Sequence, residues 1–126
     1  VTGRLHHLII DAADLQAETS FWSRLLGQPV TYRSDDFVVV AADDASSGLG
    51  FQLAPGHRPP TWPDPDVPQQ MHLDVMVDDL DAADAEVRSL GARPLGGHHV
   101  YADPAGHPFC LIPRPGWAAP VDGGPS

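Results

Sequence analysis

Apolar and polar positions alternate in short runs along this chain, and the runs fall into two similar sets. Residues 5 to 11 and 71 to 77 are brief and rich in apolar side chains, the pattern of strands buried on at least one face. Each is followed by apolar residues at helical spacing: Leu15, Trp22, Leu25 and Leu26 in the first set, Leu80, Ala83, Val87 and Leu90 in the second. Asp14 and Asp81 stand where they can cap these helices, because a short carboxylate accepts hydrogen bonds from the unpaired first-turn amides. Gly27 and Gly91 stand where each helix is expected to stop, in the left-handed conformation that glycine adopts without steric cost. Strand-like runs follow at 30 to 33, 37 to 42 and 49 to 53, and again at 93 to 95, 99 to 102 and 108 to 112. Each set therefore reads βαβββ.

The two sets form a repeat. His7-Leu8-Ile9-Ile10 is followed by Asp14-Leu15, Leu26-Gly27 and Pro29; His72-Leu73-Asp74-Val75 is followed by Asp79-Leu80, Leu90-Gly91 and Pro94. Phe51-Gln52-Leu53 and Phe109-Cys110-Leu111 form the matching ends. The chain of 126 residues, 42% hydrophobic, is long enough for one cored domain and too short for two ordinary ones. The organisation expected is a single domain over 1–113, with module one at 5–54, a connector at 55–70 and module two at 71–113, then a flexible tail at 114–126. Six prolines, at 55, 59, 60, 63, 65 and 68, keep the connector out of regular structure.

Charge and cysteine content narrow the function classes. A net charge of -10 disfavours nucleic acid and anionic membranes as partners and suits a cationic one. No apolar run is long enough to span a bilayer and the first residues lack a secretory pattern, so a soluble, cytoplasmic protein is expected. With Cys110 alone, neither an intrachain disulfide nor a four-cysteine zinc site can form.

Strand alternation assigns faces. Leu8 and Ile10 go under the first helix, leaving His7 and Ile9 opposite. Leu73, Val75 and Val77 go under the second, leaving His72, Asp74 and Met76 opposite. By the same alternation Phe51 and Leu53 expose Gln52, while Phe109 and Leu111 expose Cys110. His7, Gln52, His72 and Cys110 thus occupy equivalent helix-free positions in the two modules. Neutral imidazole suits a divalent metal, although two histidines can equally be cavity residues bonded to each other or to water. Cys110 can be a thiolate ligand or a small buried hydrophobe. Asp74 can serve as a general base, as an anion for a cationic ligand, as a partner orienting a histidine, or as a solvated rim carboxylate. Tyr32, Trp62 and Tyr101, with Met76, are the candidate walls of a ligand pocket, where flat rings suit an aromatic compound; such rings also commonly fill core.

The His plus Asp-Leu spacing and the Asp103-Pro104-Ala105-Gly106 turn before the last strand resemble the vicinal oxygen chelate superfamily over residues 5 to 113. That superfamily includes glyoxalase I, extradiol dioxygenases, fosfomycin-resistance proteins and bleomycin-binding proteins. The resemblance implies an α+β fold in which two βαβββ modules form a curved, cup-shaped mixed sheet. It implies metal ligands from the first and last strand of each module: His7, Gln52 where glyoxalase-type members have Glu, His72, and Cys110 where most metalloenzyme members carry Glu. One divalent metal (Zn, Fe, Ni or Mn) and a small organic molecule in the cup follow from it. So do two alternatives: a metal-dependent lyase, isomerase or dioxygenase using His7 and His72, or a metal-free protein that sequesters an antibiotic. Relatives pair their sheet edges within or between chains, which implies a homodimer.

Overall fold

A computed structural model describes residues 1–121. The expected tail over 114–126 lies, for 122–126, outside the described residues. The chain forms two compact units, 1–58 and 59 onward. In the first, β1 (His7–Ala12) leads to α1 (Leu15–Leu26), β2 (Val30–Arg33), β3 (Phe37–Val40) and β4 (Gly48–Leu53). In the second, β5 (Leu73–Val77) leads to α2 (Leu80–Ser89), β6 (Arg93–Gly96), β7 (Val100–Ala102) and β8 (Pro108–Pro113). The sheets run β1-β4-β3-β2 and β5-β8-β7-β6, and in each the first strand lies parallel to the last while the other pairs are antiparallel. The fold class is therefore α+β, two βαβββ modules.

Local chemistry accounts for both helices. Asp14 caps α1, its Oδ1 accepting from the Ala17 amide at 3.0 Å, and Gly27 ends the helix at φ 64°. The second cap differs from expectation: Asp79, not Asp81, accepts from the Ala82 amide at 3.1 Å. Asp81 sits in the first turn, where its charge meets the positive end of the helix. Asp79 is the repeat equivalent of Asp14, so the two modules begin their helices in the same way. Leu90 caps α2 at the far end in a right-handed conformation, with Gly91 following at φ 114°.

The buried side of α1 consists of Glu18, Thr19, Phe21 and Trp22, whereas Leu26 is 37% exposed. This rotates the helix away from the stripe its leucines suggest. Phe21 and Trp22 meet edge to face at 5.4 Å, and burying two large rings outweighs burying one more leucine. They share the first core with Val38, Val40 and Phe51. The second core holds Val87, Tyr101, Phe109 and Leu111, with the Tyr101 and Phe109 rings stacked at 5.6 Å.

The buried Tyr101 hydroxyl donates to the Asp84 carboxylate on α2, which also accepts from Arg88 Nε at 3.1 and 3.0 Å. The Tyr101 bond chiefly, and then Arg88, hold the Asp84 carboxyl below its usual range against the opposing effect of burial. Burial first and the Asp84 contact second push Tyr101 up to about 12. Asp84 is the depressed case: its contribution to stability is full above the unperturbed value of 3.8 and is lost as pH falls through the lower folded value. The Tyr101 contribution is full below its unperturbed value of 10.0 and is lost as pH rises through about 12. Urea midpoints of wild type and Asp84→Asn should therefore differ at neutral pH and converge in acid. A gap that stays constant down to about pH 2 would contradict this account.

Residues 55–70 contain neither helix nor strand, as six prolines require. The Asp103-Pro104-Ala105-Gly106 turn closes as expected, with Asp103 Oδ1 accepting from the amides of Ala105 at 3.1 Å and His107 at 2.8 Å. After β8, Arg114 Nε donates to Asp78 at 2.6 Å and the Val121 amide to the same carboxylate at 3.0 Å, while Trp117 is 82% exposed. No helix among the described residues is long and apolar enough to cross a membrane.

Candidate functional site

The helix-free face of each sheet follows from its register. In module two, Asp74 faces Cys110 across the parallel β5/β8 pair, and Val100 faces Cys110 across the antiparallel β7/β8 pair. His72 stands two positions before Asp74, on the same face. The three polar side chains converge: His72 Nε2 is 3.4 Å from Asp74 Oδ1, and one donor atom each from His72, Asp74 and Cys110 lies within 4.8 Å of the others. This is the one such grouping among the described residues. Met76 and Ile112, also register partners, continue the face as half-buried apolar neighbours.

Cys110 is half-buried. Burial, and then the charge and hydrogen bond of Asp74, push its thiol up. The thiol is therefore protonated near neutral pH, an unfavourable starting point for a nucleophile. A cation placed among these groups reverses the balance, because it favours both the thiolate and the carboxylate.

Module one presents a different face. His7 faces Gly48, whose amide donates to His7 Nδ1 at 3.0 Å. A neutral imidazole that accepts at Nδ1 carries its proton at Nε2, so neither nitrogen offers a free lone pair. Burial, then the adjacent His6, whose ring lies 3.9 Å away, lower the His7 pKa and keep the ring neutral. Gln52 faces Asp11, four positions further along the strand pair than His7 and Gly48, or about 13 Å at roughly 3.3 Å per residue. The structure does not bring His7 and Gln52 together.

The registers also reset the repeat. Leu8 faces Leu49, and its equivalent Leu73 faces Phe109. Phe109-Cys110-Leu111 therefore matches Leu49-Gly50-Phe51, and the position of Cys110 is held in module one by Gly50, not Gln52. Ile9 corresponds to Asp74. A β-carbon at Gly50 would lie 2.6 Å from Ile9 Cδ1 and 2.8 Å from Phe37 Cζ, so these two side chains close over the glycine. With the Tyr32 ring 6.3 Å from that of Phe37, the surroundings of Gly50 are apolar and aromatic where those of Cys110 are polar.

The other pocket candidates are dispersed. Tyr32 is 56% exposed on the edge strand β2 of module one, and Trp62 lies in the connector. Tyr101 is on the helix-covered face of module two, opposite in β8 to Phe109 rather than Cys110, and is core. Odd and even positions in so short a strand were distinguishable only once its partner in β8 was known. Alternation had already put Ile9 on its face, whereas Val100, Ile112 and Phe37 are the face residues that sequence reasoning passed over. Each is revealed by its register partner rather than by its type.

The two-module architecture defines a protein of the glyoxalase, bleomycin-resistance and dioxygenase fold. The chain belongs to the glyoxalase-like domain family, whose model matches residues 7–112. Among solved structures, it is similar to the trypanothione-dependent glyoxalase I of Leishmania major, at 18% identity and TM-score 0.64, over 89% of this chain and 87% of that one. It is similar to the oxidase ChaP-H2, at 24% identity and TM-score 0.62, over 91% and 96%. A bleomycin-binding protein solved with bleomycin shares 17% identity and TM-score 0.56, over 90% and 100%. These likenesses establish the shared fold, which hosts unrelated chemistries. No curated protein matches the sequence.

Proposed function

We propose that this domain binds a small organic molecule on the helix-free face of module two, with His72, Asp74 and Cys110 as polar anchors and Met76, Val100 and Ile112 as the apolar surround. The observation that carries the reading is the convergence of donor atoms from three polar side chains within 4.8 Å of one another, beside Met76, Val100 and Ile112. Small-molecule sites combine apolar surface with a few polar groups that fix orientation, and the face has that composition. Asp74, 52% exposed in its side chain, is the group placed to accept a proton from a bound molecule or to pair with a cationic one.

A second reading, sequestration of a cationic or aromatic compound without turnover, draws support from the net charge of -10 and from the Tyr32 and Phe37 rings. Lyase, isomerase or dioxygenase chemistry would differ from it in consuming the bound compound. The test is an amide NMR titration against a library of small organic compounds that includes bleomycin. Binders should give saturable shifts centred on residues 72–76, 100 and 110–112. Hits confined to other surfaces, or none across the library, would remove this face as the ligand site.

A further inference from the structure

We propose that module two carries a second ligand site, on the side of its sheet away from Cys110, where Arg88 and His99 bind a small carboxylate. The site goes beyond the proposed ligand face and uses none of its three polar anchors.

A cavity of about 250 Å³ lies between α2 and the β6–β7 hairpin, with Asp84, Arg88, His98, His99 and Tyr101 in its wall. Asp84 and Arg88 stand four residues apart on one face of α2, and Tyr101 is on the helix-covered face of β7. His99 Nδ1 lies 3.4 Å from the Tyr101 hydroxyl oxygen. His99 holds φ 58°, a left-handed conformation that is costly for a residue with a β-carbon. Its carbonyl accepts from the Leu111 amide of β8 at 3.0 Å, which pins the backbone where the ring meets Tyr101.

The polarity of the hydrogen bonds is fixed from the helix outward. Asp84 is kept ionised, chiefly by the Tyr101 bond, and so can only accept. The single Tyr101 hydroxyl proton goes to Asp84, so the phenol oxygen accepts from His99, whose Nδ1 therefore carries a proton. Nε2 is the ring nitrogen left for a ligand. Arg88 bonds Asp84 through Nε alone, at 3.1 and 3.0 Å, and among the described residues neither Nη group has a partner.

A planar carboxylate matches this donor set, with one oxygen on the Arg88 Nη groups and the other accepting from a protonated His99 Nε2. The charged and titratable groups facing His99 are Asp84 and Arg88 from α2, Tyr101 from β7 and His98 from the hairpin, while β6 contributes the uncharged Pro94. Asp84 and Arg88 offset each other, so net positive charge arrives with the imidazole proton, and carboxylate binding draws that proton onto His99. A phosphate dianion fits less well, because it sets a second negative charge beside Asp84.

The test is an amide NMR titration with sodium acetate at about pH 5.5 and about pH 8, which brackets imidazole titration. Wild type should give saturable shifts at Gly96, Gly97, His99 and Val100, with binding about fivefold tighter at the lower pH. Arg88→Gln should weaken binding by about tenfold, His99→Gln should remove the pH dependence, and His98→Gln should keep it. If Arg88→Gln fails to fold, Arg88→Lys, which keeps the charge and loses the planar fork, should weaken binding in the same direction. No saturable shifts, shifts centred on residues 72–76, equal affinity at the two pH values, or a pH dependence lost in His98→Gln would each overturn the site. Inorganic phosphate binding more tightly than acetate would overturn the assignment to a carboxylate.

Discussion

Trp22→Ala should destabilise module one by about 3 to 5 kcal/mol, the range for removing a fully buried aromatic side chain. Trp22 is 1% exposed and packs edge to face on Phe21, so truncation loses the transfer energy of the ring, its aromatic contact and the packing of the cavity left behind. Against a typical domain stability of about 5 to 15 kcal/mol, that is a large fraction. Leu26→Ala, at the 37% exposed end of the same helix, should cost less than about 1 kcal/mol. Urea denaturation of the two variants measures the contrast. Equal losses would mean that α1 presents its leucines to the sheet after all.

Gly48→Ala should cost roughly 3 kcal/mol, the upper end of the usual range for overpacking. A β-carbon there would lie 2.2 Å from the Val40 carbonyl oxygen and 2.6 Å from Ala41 Cβ, and no rotamer change can relieve a clash with backbone. The same residue donates its amide to His7, so a displaced strand also loses that bond. Gly50→Ala is the control. Its β-carbon would meet the far ends of Ile9 and Phe37 at 2.6 and 2.8 Å, contacts that side-chain rotation can open, and it should cost about 1 kcal/mol. Denaturation midpoints that put Gly50→Ala below Gly48→Ala would contradict the close approach of β4 to the end of β3.

Much of the architecture was legible in the residues. Asp14, Gly27 and the spacing from each His to its Asp-Leu pair mark where the first helix begins and ends and show that the pattern recurs, because capping and left-handed termination depend on residue type at one position. For the second helix Asp81 was the expected cap, whereas the structure uses Asp79, the repeat equivalent of Asp14, two residues earlier. Local chemistry could not choose between them. The rotation of α1 was hidden for a related reason: helical periodicity scores Leu25 and Leu26 with Trp22, whereas the sheet selects the rings of Phe21 and Trp22 by area.

The site divides along the same line. Alternation in β5 and β8 put His72, Asp74 and Cys110 on the open face from sequence, since the period of a strand is fixed by its backbone. The sequence by itself determined the two βαβββ modules, the residue types on each open face and the absence of a disulfide within these 126 residues. What only the tertiary structure decided is which of those residues are neighbours: Cys110 beside Asp74, Gly50 rather than Gln52 in the matching place, His7 bonded to Gly48 and Tyr101 in the core. Leu49, Phe51 and Leu53 alternate with Gly50 and Gln52 so regularly that a slip of two residues keeps every side chain on its face. Periodicity therefore fixes the face and leaves the register open, and the register is set by non-local hydrogen bonding between strands more than 30 residues apart in the chain.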